Sequence, residues 1–191
     1  MQQRVCAVVT DEEYGRRLQT GDRGAVGVLV ERHHAALIGY LYRMTGGDSA
    51  LAEDLAQETF VRVLRFIAQY RYPRPFKAWL YAIATNIARN HYNSADQRHT
   101  LSADPDAPEP PDDSATLDDP LIHADDVRAV IRALAALPAH QRETIVLYYY
   151  QALSIAEIAE TLAVPLGTIR SRLSLGIGRL REKMKEVDYA P

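Results

Sequence analysis

Apolar residues recur at intervals of three and four along most of the chain, which is the pattern of helices that bury one face. Asp22 and Asp48 stand at positions expected for helix N-caps, and Gly46-Gly47 ends the second helical stretch. Strand-like alternation of apolar and polar residues does not occur in the first hundred residues. The first half is therefore predicted to be an all-helical bundle, with helices over residues 11–19, 22–44, 48–67 and 76–93.

The third of these helices has an apolar side and a charged side. The positions expected to face the core are Leu51, Leu55, Phe60, Val63, Leu64 and Ile67. The outer face carries Glu53, Asp54, Gln57, Glu58 and Arg62. Pro73 and Pro75 leave no room for a helix between this element and the next, so residues 70–75 are predicted to form a loop.

Near the C-terminus, two short helices are predicted to be joined by a tight turn. Ser154 and Glu157 have the spacing of a capping box, and Pro165 can occupy the first turn of the second helix. In that second helix we expect an apolar side made of Leu166, Ile169 and Leu173, and a polar side made of Thr168, Arg170, Ser171 and Arg172. This layout is typical of a helix-turn-helix, whose second helix enters the DNA major groove. The alternative is a helical hairpin with a solvated face.

Two further helices, over residues 127–137 and 140–152, precede this motif and complete a second helical module. Between the modules, residues 95–122 contain half of the prolines of the chain and few large apolar side chains. Such a segment cannot bury enough surface to fold alone, so a flexible acidic Pro-rich linker is predicted. The expected organisation is a first domain over residues 10–94, the linker over 95–122, and a second domain over 123–187. Fully extended, the linker would span about 85 Å.

The charge of the chain is unevenly distributed. The net charge is −3 for 191 residues, yet residues 101–126 hold nine acidic residues and no Lys or Arg. Both helical modules are therefore mildly basic, which is compatible with binding to phosphates. Because Cys6 is the one cysteine, an internal disulfide is excluded. No apolar run approaches the roughly 20 residues that a membrane span needs, so we expect a cytoplasmic protein without membrane insertion.

Three stretches together carry a resemblance to a known family. In chain order they are ALAEDLAQETFVRVL, FKAWLYAIATNIARNHYN and, after the linker, LPAHQRETIVLYYYQALSIAEIAETLAVPLGTIRSRL. The chain resembles an extracytoplasmic-function (ECF) sigma factor of bacterial RNA polymerase, over residues 21–93 and 127–185. Those two parts correspond to the domains that the family calls region 2 and region 4.

The resemblance implies that the third helix docks on the clamp helices of core RNA polymerase. The residues implied in that contact are Asp54, Leu55, Gln57, Glu58, Phe60 and Val61. Asp54 and Glu58 are like charges four residues apart, which cost a few tenths of a kcal/mol unless a basic partner is present. The alternative is a solvated charged face. An acid and base pair for catalysis is less supported, because no nucleophile or oxyanion donor lies nearby in sequence.

By the same resemblance, the loop and fourth helix would read and melt the minus-10 promoter element. The residues implied are Tyr70, Arg71, Tyr72, Arg74, Lys77, Trp79, Asn86 and Arg89. Aromatic rings can stack on unpaired bases, cations can bind the backbone, and Asn86 can hydrogen-bond a base edge. For Trp79 the alternative is a place in the core.

The helix-turn-helix would read the minus-35 element. The residues implied are Thr168, Arg170, Ser171, Arg172 and Ser174. The chain departs from the family at residues 175–178, where Leu-Gly-Ile-Gly replaces the usual basic run. Each glycine costs a helix about 1 kcal/mol relative to alanine. We therefore expect weaker upstream contacts, or a helix end adapted to a protein partner.

The function implied is that of a promoter-specificity subunit with no chemistry of its own and no cofactor or metal. Its partners would be core RNA polymerase, promoter DNA and a cognate anti-sigma factor. The linker would either thread the active-site and RNA-exit channels of the polymerase or serve as a solubilising tether. The main alternative function is a stand-alone helix-turn-helix regulator with a sensing or dimerising N-terminal bundle. An enzyme acting on nucleic acid is a more distant one.

Overall fold

A computed structural model describes residues 9–101 and 124–188, and all regular secondary structure within these ranges is helical. This confirms the predicted all-α class. Most of the predicted linker, residues 102–122, lies outside the described residues. The helices are α1 (Asp11–Gln19), α2 (Gly24–Met44), α3 (Ser49–Phe66), a short 3-10 helix (Ile67–Gln69), α4 (Phe76–Leu101), α5 (Ala124–Ala135), α6 (Ala139–Tyr149), α7 (Ile155–Leu162) and α8 (Leu166–Asp188).

Side-chain caps start α3 and α7 at positions that the sequence predicts, whereas the N-cap of α2 is Arg23 and not Asp22, which accepts a hydrogen bond from the Gly24 amide at 3.0 Å. Asp48 accepts a hydrogen bond from the Leu51 amide at 2.9 Å, which satisfies one of the free amides of the first turn of α3. Ser154 and Glu157 form a complete capping box, with hydrogen bonds of 3.2 and 2.8 Å. These contacts fix where α3 and α7 begin.

The helices form two units that pack against each other. The first unit contains α1 to α4, and the second contains α5 to α8. Helix α4 packs on α7, and α2 packs on α5 and α6. One apolar cluster includes Leu41 and Tyr81 of the first unit together with Leu134, Val146 and Ile158 of the second. Within the described residues, the two units thus share a hydrophobic core.

Several helix ends and exposures differ from the sequence prediction. Helix α6 was expected to run to residue 152 but ends at Tyr149. Helix α4 was expected to end near residue 93 but extends to Leu101, because residues 95–101 contain neither Pro nor Gly to stop it. Leu64 is 48% exposed, since the buried stripe of α3 contains Ala56, Thr59 and Val63 and leaves the next position on the flank. Leu166 is 47% exposed in the first turn of α8. Both leucines were expected to face the core.

Candidate polymerase and promoter interfaces

One side of α3 remains open although the helix packs on both α2 and α4. Asp54, Gln57, Val61 and Leu64 are exposed at spacings of three and four residues, so they lie on one helix face. We call these four residues the α3 outer face. It has an acidic end at Asp54 and an apolar end, where Val61 is 57% exposed. Such a mixture of one carboxylate with uncovered apolar side chains fits a protein contact better than a solvated surface does.

The other residues assigned to this contact have different positions. Glu58 is half-buried and accepts a hydrogen bond from Arg62 Nε at 2.6 Å, so its charge is already paired. Leu55 is 8% exposed and belongs to the core. Phe60 is half-buried and its ring stacks against His34 at a centroid distance of 6.3 Å. Leu55 and Phe60 thus pack α3 against the rest of the first unit. Leu64 is a surface residue that the sequence pattern did not identify.

The loop before α4 divides the predicted minus-10 aromatics into buried and exposed ones. Tyr70 is 3% exposed, and its hydroxyl donates to the Arg74 carbonyl at 2.5 Å. Its ring lies 5.5 Å from that of Phe76 and 5.4 Å from that of Trp79. Burial raises the pKa of the Tyr70 hydroxyl. Tyr70 is therefore a structural residue of the loop, and the expectation that its ring is available to stack on a base is not met in this conformation.

Other residues of this region are accessible. Arg71 and Asn86 are exposed, and Tyr72 is 48% exposed with the Arg16 guanidinium 5.2 Å from its ring centroid. Trp79 is half-buried and lines a cavity of about 190 Å³ between the two units. The first unit contributes Tyr70, Arg71, Arg74 and Trp79 to its wall, and the second contributes Glu160 and Thr161. An aromatic and cationic cavity of this kind has the chemistry to hold an unstacked base.

The three remaining cations of the minus-10 set contact the second unit. Arg74 Nη1 lies 3.1 Å from Glu160 Oε1, and Lys77 Nζ donates to the Gln151 carbonyl at 2.6 Å.

Arg89 binds both carboxylate oxygens of Glu143, at 2.7 and 2.5 Å. Glu143 is 1% exposed, and the hydrogen bond to it raises the pKa of Arg89 above its ordinary value. Glu143, Gln151 and Glu160 were not identified from the sequence. Their signal was weak, because partners this far apart in sequence leave no local spacing pattern.

The helix-turn-helix forms as predicted. Ala163 takes the left-handed conformation, with φ of +54°, at the C-cap of α7, and α8 begins three residues later. Arg170, Ser171 and Ser174 are exposed along α8, and Thr168 is half-buried.

Two of the predicted minus-35 residues are partly engaged within the protein. The Ser171 hydroxyl donates to the Thr168 carbonyl at 3.0 Å. Arg172 is half-buried, and its Nη1 is enclosed with no hydrogen-bond partner among the described residues. Arg170 and Ser174 are therefore the most available side chains of this set.

The Leu-Gly-Ile-Gly stretch does not interrupt α8, which continues to Asp188. A Cβ at position 176 would lie 2.8 Å from Ile145 Cδ1 and 3.2 Å from Gln141 Cβ, so Gly176 allows α8 to cross α6 closely. At Gly178 a Cβ would meet nothing within 4 Å. Leu175 is 59% exposed. One of the two glycines thus has a packing reason, which the sequence alone did not reveal.

In the part of the chain that the structure describes, no group of three or more His, Cys, Asp or Glu side chains could hold a metal ion. Across residues 9–101 and 124–188, no helix has the length and apolar character to span a bilayer.

Comparison with known proteins agrees with this geometry. Residues 29–98 match the Sigma-70 region 2 family, and residues 128–180 match the Sigma-70 region 4 family. The chain is 35% identical over 171 residues to the ECF RNA polymerase sigma factor SigL of Mycobacterium tuberculosis, covering 83% of this chain and 88% of that protein. It is 28% identical over 179 residues to the ECF RNA polymerase sigma factor SigW of Bacillus subtilis, covering 90% and 95% of the two chains.

Among solved structures, the fold is similar to that of the sigma factor RpoE of Bartonella quintana in complex with the anti-sigma factor NepR. The TM-score is 0.64 at 26% identity, over 83% of this chain and 96% of that one. The helix-turn-helix, the helical bundle and the sequence similarity over most of both chains all indicate the same family. The chain belongs to the extracytoplasmic-function sigma factors, and it directs bacterial RNA polymerase to specific promoters.

Proposed function

We propose that the α3 outer face is the surface through which this sigma factor binds the clamp helices of core RNA polymerase. The observation that supports this most is the exposure of Asp54, Gln57, Val61 and Leu64 along one face of a helix whose other sides are packed. Desolvating Val61 and Leu64 would favour binding, while Asp54 would select a basic partner surface.

The two units divide promoter recognition between them. The first unit, within residues 10–94, reads and opens the minus-10 element with the loop and face that include Arg71, Tyr72, Trp79 and Asn86. The second, within residues 123–187, reads the minus-35 element with Arg170 and Ser174 in the major groove. Residues 95–122 connect the units. In this proposal the chain supplies position and strand separation, and the polymerase supplies all of the chemistry.

An anti-sigma factor is the expected regulator. The similar structure from Bartonella quintana contains a sigma factor bound to the anti-sigma factor NepR. We expect a cognate protein to hold this chain away from polymerase as well.

The polymerase contact is tested by charge reversal at Asp54. Asp54→Lys should weaken binding to purified core polymerase by tenfold or more, about 1.4 kcal/mol, in a fluorescence titration. Glu182→Lys is the matched control, because it makes the same change of charge at an exposed position of α8, outside the α3 outer face. Equal affinities for the two variants would contradict the assignment.

The function itself is tested by transcription in vitro. The purified chain with core polymerase should give promoter-dependent transcripts, and core alone should not. A chain that binds duplex DNA specifically but never joins polymerase would be the stand-alone regulator instead.

A further inference from the structure

Helix α1 packs against the 3-10 helix and α4, on either side of the loop over residues 70–75. We propose that α1 holds this loop in the shape that reads the minus-10 element, with Gln19 and Glu12 as positioning residues. Glu12, Gly15 and Gln19 recur at spacings of three and four residues, so one face of α1 carries all three. The inference rests on the proposed function, because it takes Arg71 and Tyr72 of the loop as promoter contacts.

Gln19 holds the start of the loop. Its side-chain amide donates to the Ile67 carbonyl at 2.9 Å and to the Tyr70 carbonyl at 2.7 Å. A primary amide has two N–H donors, so one side chain can satisfy both carbonyls at once. These carbonyls belong to the first residue of the 3-10 helix and to the residue that follows this helix. Gln19 therefore fixes the direction in which the chain enters the loop.

Glu12 holds the end of the loop. Its Oε1 accepts a hydrogen bond from the Phe76 amide at 3.2 Å. Phe76 is the first residue of α4, and its amide is one of the four that a helix leaves without an acceptor of its own. The helix dipole also favours a carboxylate at this end. Glu12 therefore fixes where α4 begins relative to α1.

Gly15 allows the loop to lie directly on α1. A Cβ at this position would be 2.8 Å from Tyr70 Cε1 and 3.0 Å from Phe76 Cδ2. The Tyr70 ring thus packs against the backbone of α1, while its hydroxyl donates to the Arg74 carbonyl near the other end of the loop. The buried side of the loop is in this way shaped by α1.

Helix α1 is itself fixed to the rest of the first unit. Asp11 Oδ1 accepts a hydrogen bond from Arg32 Nη1 at 2.7 Å, and its Oδ2 lies 2.8 Å from His33 Nε2. Leu18 is 8% exposed and belongs to an apolar cluster that also contains Leu29. An element anchored in this way to α2 can hold a loop in place.

The exposed side of the loop carries the side chains that depend on this support. Arg71 is exposed, and Tyr72 has the guanidinium of Arg16, another residue of α1, 5.2 Å from its ring centroid. A loop that already has its bound shape loses less conformational entropy when DNA binds. Loss of the support should therefore weaken binding at the minus-10 element and leave the contacts with core polymerase and the minus-35 element unchanged.

The first test removes the two hydrogen bonds of Gln19. It uses holoenzyme assembled from the full chain and core polymerase, with a fluorescent single-stranded oligonucleotide. The oligonucleotide carries the minus-10 sequence that a promoter-library selection returns for the wild-type chain. Gln19→Ala should weaken its binding by roughly three- to tenfold. Thr20→Ala is the matched control, because the hydrogen bond that it removes is to the Arg17 carbonyl within α1.

Two further measurements separate positioning from general damage to the fold. Affinity for core polymerase and for a duplex with the minus-35 sequence should be the same in Gln19→Ala and Thr20→Ala. Gln19→Glu keeps the side-chain length but places carboxylate oxygens against two carbonyls, so it should weaken oligonucleotide binding at least as much as Gln19→Ala. Wild-type binding by both Gln19 variants would overturn the inference, and so would an equal loss of core affinity.

The second test locates the effect of Gln19 in the loop. In a double-mutant cycle, Gln19→Ala should weaken oligonucleotide binding much less when Arg71→Ala and Tyr72→Ala are already present, since fewer contacts remain to be positioned. Full additivity would mean that Gln19 acts elsewhere, which would overturn the inference.

The same measurements distinguish this inference from the proposed function. If Arg71→Ala with Tyr72→Ala leaves oligonucleotide binding unchanged, the loop does not read the minus-10 element, and both fail. If that pair weakens binding but Gln19→Ala does not, the reading function of the loop stands and the positioning role of α1 is refuted.

Discussion

Gly176 illustrates how a single missing side chain sets the spacing of two helices. It lies on the buried side of α8, directly over Ile145 of α6. A methyl group there would approach Ile145 Cδ1 to 2.8 Å, which is closer than carbon atoms can pack without movement. The glycine that weakens the helix as an isolated element therefore strengthens the packing of the second unit.

Alanine substitution separates these two effects. Gly176→Ala should gain up to about 1 kcal/mol of helix propensity but lose about 1–3 kcal/mol through overpacking, so the free energy of unfolding should fall. Gly178→Ala, two residues away in the same helix with nothing within 4 Å of its Cβ, should raise it by up to about 1 kcal/mol. Urea unfolding of both variants gives the comparison, and destabilisation of equal size at the two positions would contradict the packing explanation.

His33 makes stability depend on pH. It is 7% exposed, and its Nε2 lies 2.8 Å from Asp11 Oδ2. Burial lowers the pKa of His33 below its ordinary value of 6.5, although the Asp11 charge partly offsets this and the Lys77 and Arg32 charges add to it.

The unfolded chain therefore takes up a proton at higher pH than the folded one does. The free energy of unfolding should fall as pH decreases through about 6.5 and level off below the folded pKa. Urea titrations at a series of pH values measure this slope. His33→Gln should flatten it, and His34→Gln, at an exposed neighbouring position, is the control. A wild-type slope in His33→Gln would assign the effect to other groups.

At the level of elements, local chemistry was enough to predict most helices. The caps at Asp48 and Ser154 form with the predicted amides, and the apolar stripes identify the buried faces of α3, α4 and α7. These features depend on residues within one or two turns of each other, so they can be seen in the sequence. Helix ends were less certain, as the extension of α4 to Leu101 shows.

Exposure and partners depend on distant parts of the chain, which spacing does not encode. Tyr70 has the composition of a base-stacking residue, yet it is 3% exposed against Phe76 and Trp79. Arg89 was assigned to DNA, and its carboxylate partner Glu143 lies 54 positions away. The sequence therefore predicted which helices and loops form the candidate sites, but it did not predict whether each side chain there is exposed or paired.

The recognition helix α8 offers a test at this scale. Arg170→Ala should weaken binding to the preferred upstream duplex by about 1–3 kcal/mol and relax base choice at one position, because arginine reads guanine bidentately.

Arg181→Ala removes another exposed cation farther along α8 and should weaken binding evenly across sequences. A promoter-library selection measures both variants. Unchanged base preference after loss of Arg170 would count against its role in readout.

At the scale of the whole molecule, two buried tyrosines allow the stability of the first unit to be distinguished from the association of the two units. Tyr81 and Tyr40 are both 0% exposed, and burial raises the pKa of both hydroxyls, so they stay neutral donors. The Tyr81 hydroxyl donates to Gln151 in the other unit, whereas that of Tyr40 pairs with Thr85 in its own unit at 2.7 Å.

Tyr81→Phe leaves Gln151 Oε1 without this donor and should cost about 1–2 kcal/mol of association between the units. Small-angle scattering should then find a larger radius of gyration than for Tyr40→Phe, which alters the first unit alone. Identical scattering from the two variants would mean that this hydrogen bond does not hold the units together.

The structure describes the first unit up to Leu101 and the second unit from Ala124, and the described contacts that join the units lie within those two ranges. A protease site engineered between those residues should allow the folded protein to be nicked into two pieces that still co-elute on gel filtration and part only in denaturant. The two pieces of a nicked molecule would stay associated but would no longer be covalently joined. Pieces from different molecules would therefore exchange over time.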